Sequence, residues 1–316
     1  MFSFVDLADV RGHWHVKRAL EIAAAGGHSL LLHGAHGVGK TLLAQAFPSL
    51  LPTLMPEEQD EVTGRYRVQG LLTSSDPLVT ERPFAALLPP SSIAEVLGDK
   101  KSGGYGKLAL AHHGSLLLDN LAAFKPGVIK ALNGALAQRT IPLRVQLMAT
   151  MLPCPCGFFQ DPEQKCRCTP EKLLQYRRRV PGSLQSHFDI TVEVPRQDDQ
   201  RTQSVVPEES SFQVRQRVQA ARIIQWQRFA GTRVMWNAEM EQAELEQYCS
   251  LEKSGQTMLH TAIKELVLDE KDVQKVLKVA RTIADLAARD AIAPQHLAEA
   301  ILFYRSSPRE REREEE

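Results

Sequence analysis

With 316 residues the chain is long enough for two domains, each with its own core. Hydrophobic residues make up 43% and charged residues 24%, the balance of a globular chain and not of a disordered one. Its 38 basic and 38 acidic side chains cancel, which excludes the strong overall basic field of many nucleic-acid binders while leaving room for a local basic patch. No stretch approaches the roughly 18 apolar residues of a membrane span. The start, "MFSFVDLADVRGHW", lacks a basic n-region and carries Asp6 and Asp9, so the expectation is a cytoplasmic protein without a leader or membrane partner.

In chain order, "HVKRALEIAAAGG" has helical spacing, with Val16, Ala19, Leu20, Ala23 and Ala24 on one face, and stops at Gly26–Gly27. "HSLLLHG" reads as a short buried strand, and "KTLLAQAFPSLL" opens a helix. "SLLLDN" is a second buried strand, "PGVIKALNGALAQR" a helix, "IPLRVQLMAT" a strand, and "FDITVEVP" an alternating strand ending at Pro195. Strands alternating with helices predict an α/β fold with a mostly parallel sheet and helices on both faces. At "RQDDQRTQSVVPEESS", residues 196–211, the composition turns polar. Helical segments follow: "FQVRQRVQAARIIQWQRFA", "NAEMEQAELEQYCS", "TMLHTAIKELVL", "VQKVLKVARTIADLAARD" and "PQHLAEAILFYR". The fourth carries one apolar stripe of Val273, Val276, Leu277, Ala280 and Ile283, and Pro294 opens the fifth. The expected organisation is an α/β core over 1–197, a linker over 198–210, a helical region over 211–306 and a solvated charged tail over 307–316.

"GAHGVGKT", residues 34–41, matches G-x-x-x-x-G-K-[ST] between a predicted strand and a predicted helix. Gly34, Gly37 and Gly39 let backbone amides converge on phosphate oxygens. The helix start favours the same anion, Lys40 supplies a point charge, and the Thr41 hydroxyl faces Mg²⁺. Asp119, closing "GSLLLDN", is then the acid that holds Mg²⁺ through water; its competing reading is a helix or turn cap. ATP and Mg²⁺ are the cofactors this pattern implies.

Four of the five cysteines, Cys154, Cys156, Cys166 and Cys168, lie within one loop, 154–168. Four thiolates suit tetrahedral Zn²⁺, although the one-residue spacing is tighter than usual and four reduced thiols are the other reading. Cys249 reads as a core residue. Lys165, Arg167, Lys172, Arg177, Arg178 and Arg179 surround the loop as a basic strip, either an inter-subunit or DNA-facing surface or ordinary solvated charge.

With these motifs placed, the chain resembles the magnesium-chelatase-like branch of AAA+ ATPases, and most closely its ComM/YifB type. The resemblance rests on "RALEIAAAGGHSLLLHG", "LVTERPF", "LPCPCGFFQDPEQKCRCTP", "FDITVEVP" and "LKVARTIADLAARDAIAPQHLAEAI", from about residue 6 to residue 303. It implies an αβα core with a helical lid and a ring homo-oligomer, a hexamer, with ATP between subunits. An active paralogue is the alternative partner. It also implies a motor on single-stranded or branched DNA. Family members usually carry a Lon-like domain ahead of this module, and the expectation is that it is missing here.

Several positions depart from the family pattern. Asn120 stands where a water-activating Glu follows the Walker-B Asp, and an amide cannot take a proton from water. Leu152 replaces the sensor Asn before "PCPCG". His187 replaces the Arg expected to reach into a neighbouring site, with Arg179 nearby as a partial substitute, and Lys271 replaces the sensor-two Arg of the lid. Leu87–Leu88–Pro89 stands for Pro-His-His, and the hairpin "QRTIPLR" is short. A lost base costs roughly 10²–10⁴ in rate and a lost arginine finger roughly 10³–10⁵. The combined pattern predicts an ATP-binding subunit with weak or no hydrolysis; a DNA-remodelling motor and a chelatase- or chaperone-like protein remodeller are the alternatives.

Overall fold

The computed structural model describes residues 5–99, 104–138, 143–197 and 207–305. Helix α1 (Trp14–Gly26) leads into strand β1 (Leu30–His33). After the glycine-rich loop come α2 (Lys40–Ala46), a 3₁₀ turn at Phe47–Leu50, and α3 (Pro56–Val68). Then follow β2 (Phe84–Leu87), α4 (Ile93–Leu97), a two-residue ladder of β3 (Gly98–Asp99) with β4 (Gly104–Tyr105), α5 (Lys107–Leu110) and β5 (Gly114–Leu118). The core closes with α6 (Pro126–Gln138), β6 (Val145–Met151), α7 (Pro170–Arg177), α8 (Gly182–Gln185) and β7 (Ile190–Glu193). The C-terminal helices are α9 (Ser211–Arg228), α10 (Gln242–Tyr248), α11 (Lys253–Glu265), α12 (Glu270–Leu286) and α13 (Pro294–Arg305).

Five strands form one parallel sheet in the order β2-β5-β6-β1-β7. Both faces are covered, as the unbroken apolar runs predict. Leu30, Leu32, Leu117 and Met148 point into the core shared with α1, α2 and the C-terminal helices. Leu31, Leu116, Leu118, Leu147 and Ala149 point into a second core beneath α4, α5 and α6. Successive residues alternate faces because the strand repeat is two.

The helical region docks on α1 by capping it. Arg222 of α9 donates through Nε and Nη2 to the Ala24 carbonyl, at 3.0 and 2.7 Å, and Gln225 Nε2 donates to Ala25 at 3.1 Å. These are helix-end carbonyls that have no partner within their own helix. The Arg222 guanidinium also lies 3.5 Å from the centroid of the Trp236 ring. Val276, Ala280 and Ile283 of the α12 stripe are buried, Cys249 is in the core, and Pro294 does open α13.

"NAEMEQAELEQYCS" reads as one helix but is two. Asn237–Glu239 form a 3₁₀ turn and α10 begins at Gln242. The break follows from tertiary bonds: the Asn237 amide group donates to Asp285 Oδ2 (2.8 Å) and Thr282 Oγ1 (3.1 Å), and its N–H goes to Gln225 Oε1. Between residues 52 and 113, where periodicity assigns no element, the structure has α3, α4, α5 and the edge strand β2. The short-hairpin reading falls largely on residues 139–142, and the charged tail and residues 198–206 of the linker likewise lie outside the described residues.

Candidate phosphate and metal sites

The glycine-rich loop leaves the carboxyl end of β1, where an open parallel sheet places its ligands. Gly34 has no room for a side chain, since a Cβ there would lie 2.4 Å from the Val194 carbonyl oxygen. Gly37 (φ 80°) and Gly39 (φ 89°) turn the backbone through the left-handed region with open space on the side where a Cβ would stand. Lys40 Nζ donates to the Gly34 and Ala35 carbonyls at 2.9 and 2.5 Å. Burial pulls its ammonium down to about 8, against the opposing charge of Asp119.

Asp119 follows the last residue of β5 and faces α2. Thr41 Oγ1 donates to Asp119 Oδ1 at 3.1 Å, so the two residues expected to share a cation do meet. Thr150, which the sequence reading did not single out, joins them. Its hydroxyl donates to Asp119 Oδ1 at 2.5 Å and accepts the Asn120 N–H at 2.8 Å. Only the register could have revealed it: Leu118 pairs with Ala149, which brings Thr150 alongside Asp119. Asn120 sits at φ 56°, a left-handed conformation that Asn tolerates better than most side chains. Its Oδ1 is buried without a hydrogen-bond partner among the described residues.

The remaining positions separate. Leu152 follows β6 and packs at the edge of the second core, while its carbonyl accepts the buried Tyr176 hydroxyl at 3.0 Å. Arg179 is exposed and reaches the Ala122 carbonyl at 3.4 Å, in the turn just past Asp119–Asn120. His187 precedes β7 and so lies at the amino end of the sheet, whereas Lys40 follows its carboxyl end; four strand residues, about 13 Å, separate those ends. Burial and then Lys275 lower the His187 pKa, which keeps the ring neutral at pH 7. Lys271 is exposed on the first turn of α12.

A cavity of about 220 Å³ lies beside the loop at the carboxyl ends of β1, β6 and β7, bounded by Gly34, Ala35, Met151, Phe159, Tyr176 and Arg196.

The four loop cysteines converge. Cys154 Sγ lies 3.3 Å from Cys156 Sγ and 3.8 Å from Cys166 Sγ, and Cys156 to Cys166 is 3.6 Å; all four sulfurs fall within 4.8 Å of one another. A tetrahedral Zn–S₄ centre with bonds of about 2.3 Å has sulfurs about 3.8 Å apart, so the donor set fits that metal in number, kind and spacing. The backbone amides of Arg167 and Phe158 point at Cys156; against the cost of burial they bring its thiol down to about 6.

Glu61, His112 and His113 form a second cluster, with Glu61 Oε2 at 2.8 and 3.0 Å from the two Nε2 atoms. It does not suit a metal. The Arg144 N–H donates to His112 Nδ1 at 3.1 Å, so the neutral ring carries its proton on Nε2 and gives it to Glu61. Burial lowers His112 to about 4, which holds it neutral.

A parallel sheet in this order, a glycine-rich strand-to-helix turn with its Lys and Thr, and an acid at the end of a nearby strand facing that Thr define a P-loop fold of the AAA+ class with a C-terminal helical region. The chain belongs to the magnesium chelatase family. The family model "Magnesium chelatase, subunit ChlI" matches residues 6–202, and "Magnesium chelatase, subunit ChlI C-terminal" matches residues 208–305. Over 310 residues it is 38% identical to the "Uncharacterized protein YifB" of Escherichia coli, covering 94% of this chain and 60% of that protein. It is 36% identical to the "Competence protein ComM" of Haemophilus influenzae over 310 residues, covering 94% of this chain and 59% of that one. The chain therefore spans about three fifths of the length of these relatives. Among the described residues no helix is long and apolar enough to cross a membrane.

Proposed function

We propose that the chain is an ATP- and Mg²⁺-binding subunit with weak or no hydrolysis, acting in the cytoplasm through ring assembly with copies of itself or with an active paralogue. One observation carries this reading. Lys40, Thr41 and Asp119 converge at the carboxyl end of the sheet, while the next position is an amide and the sensor position a leucine packed against the core.

The residues fit the nucleotide. Gly37 and Gly39 leave open space beside the loop for a phosphate chain, and the buried Asn120 Oδ1, without a partner among the described residues, is an acceptor that a bound water would satisfy. ATP brings a phosphate chain and Mg²⁺ neutralises part of its charge. Lys40, which now donates to two loop carbonyls, would supply the charge that holds the phosphates, and Thr41 with Asp119 would hold the cation. The Asn120 amide could hold a water but could not accept its proton, so this position supplies no general base. For the four thiols we propose one structural Zn²⁺, which supplies a crosslink and no chemistry.

An ATP-driven DNA-remodelling motor is the competing reading, supported by the relative named a competence protein. The deciding experiment is steady-state turnover of ATP–Mg²⁺ with and without single-stranded and branched DNA. Basal turnover on the order of 1 per second, within the usual enzyme range, overturns the weak-hydrolysis reading, and stimulation by DNA transfers support to the motor.

A further inference from the structure

We infer that the cysteine clip braces the phosphate loop, so that the metal it holds and the nucleotide at Lys40 are linked in binding. The inference rests on the nucleotide and zinc readings above and adds their coupling. Residues 152–169 contain no helix or strand. So long an irregular segment inside a compact domain calls for a constraint of its own. The four thiols, within 4.8 Å of one another, are that constraint.

The clip reaches the phosphate loop through backbone alone. Gly157 follows Cys156 directly, and its N–H closes a turn onto the Cys154 carbonyl at 3.0 Å. The Gly157 carbonyl then accepts the N–H of His36, in the middle of the glycine-rich loop, at 3.3 Å. The approach leaves no slack. Gly157 is left-handed at φ 82°, and a Cβ on it would stand 3.1 Å from the Cβ of His36. No flexible side chain lies between the sulfur-bearing turn and the loop, so a change in one is passed to the other.

Farther along the clip, Asp161 pairs with Arg196 at 2.9 Å, beyond the end of β7, and the Arg177 guanidinium lies 5.6 Å from the Phe159 ring centroid. The segment is thus held on the β7 side as well as on the phosphate-loop side. With the thiols crosslinked, the turn at Cys154–Gly157 has one conformation, and the amides beside His36 are set before phosphate arrives. With the crosslink gone, binding must order both segments. Linkage is reciprocal: nucleotide strengthens zinc retention by the factor by which zinc strengthens nucleotide binding.

The test measures ADP–Mg²⁺ affinity by calorimetry for zinc-loaded protein, for protein stripped by a chelator, and for Gly157→Ala, with zinc content by elemental analysis and folding by circular dichroism. ADP avoids any turnover. Stripped protein that is still folded is expected to bind ADP about 5- to 150-fold more weakly, the usual span of coupling between two sites. Gly157→Ala is expected to keep one zinc per chain, bind ADP more weakly, and lose little more on stripping, because the contact that carries the coupling is already broken. Equal ADP affinity in folded zinc-loaded and stripped wild type overturns the inference and leaves the nucleotide reading standing. If stripping unfolds the chain, Gly157→Ala decides alone: wild-type ADP affinity with zinc retained overturns the inference. Zinc-loaded wild type that binds no ADP refutes the nucleotide reading, and protein that holds no zinc refutes the metal reading; either result removes the coupling as well.

Discussion

Thr150 donates a hydroxyl hydrogen bond to Asp119 at 2.5 Å and accepts one from the N–H of Asn120 at 2.8 Å, so one buried side chain sets both the acid and the residue after it. Thr150→Val keeps the shape and removes both bonds. It leaves the half-buried Asp119 carboxylate with Thr41 as a remaining donor and takes the acceptor from the Asn120 N–H, with an expected loss of about 1 kcal/mol in urea unfolding. Weaker Mg²⁺–nucleotide binding should accompany it; unchanged stability and affinity would show that Thr150 does not set the site.

Lys40→Ala should abolish nucleotide binding, because it removes the cation that the loop presents to the phosphates. The same residue predicts a pH dependence. Phosphate selects the protonated amine, and in the ligand-free protein burial brings Lys40 down to about 8. Affinity should therefore be level below that pH and fall as pH rises through it. Stability of the ligand-free chain moves the other way: the unfolded amine still holds its proton where the folded one has lost it, so Lys40 makes folding more favourable as pH rises from about 8 toward its ordinary value of 10.5. Calorimetry across pH 6.5–9.5, an interval of roughly ±1.5 about that midpoint, reads the first effect.

Asn120→Glu alone should restore little turnover. Glu must adopt the left-handed conformation that Asn tolerates, at a cost of roughly 1–2 kcal/mol, and Leu152 offers no polar group to hold the water. Residues acting as a unit are far from additive, so the gain should fall well below the roughly 10²–10⁴ of a general base. The triple variant with Leu152→Asn and His187→Arg should turn over faster than the single one if copies assemble, since His187 lies at the far end of the sheet from its own Lys40 and could serve only a neighbour's site. Equal rates for single and triple variants would refute the multi-point loss.

Protein purified without added metal should contain close to one zinc per chain. Cys166→Ser with Cys168→Ser should remove it. A fully folded, metal-free wild type would leave the four cysteines as reduced thiols.

The glycine-rich turn after β1 and the acid after β5 were legible in the sequence because each is a local pattern: glycines at fixed offsets after an apolar run, and an acid ending another. The parallel α/β class was legible for the same reason, since strands buried on both faces read as unbroken runs such as "SLLLH". The lid helices followed from apolar spacing, most clearly the α12 stripe. Tertiary structure decided the rest. Thr150 looks like any strand residue until β5 and β6 pair and bring it to Asp119. The edge strand β2 is only half-buried and has two alanines at its centre, so it shows neither an unbroken run of large apolar residues nor an alternation. His187 lies close to Arg179 in the chain, yet they part: Arg179 reaches the turn after Asp119, and His187 stays at the amino end of β7. Spacing showed four cysteines on one loop; it could not show that the Gly157 carbonyl, in the turn they form, accepts the His36 N–H. Local patterns fix which backbone can form, whereas contacts between segments distant in sequence depend on register and packing that no single segment encodes.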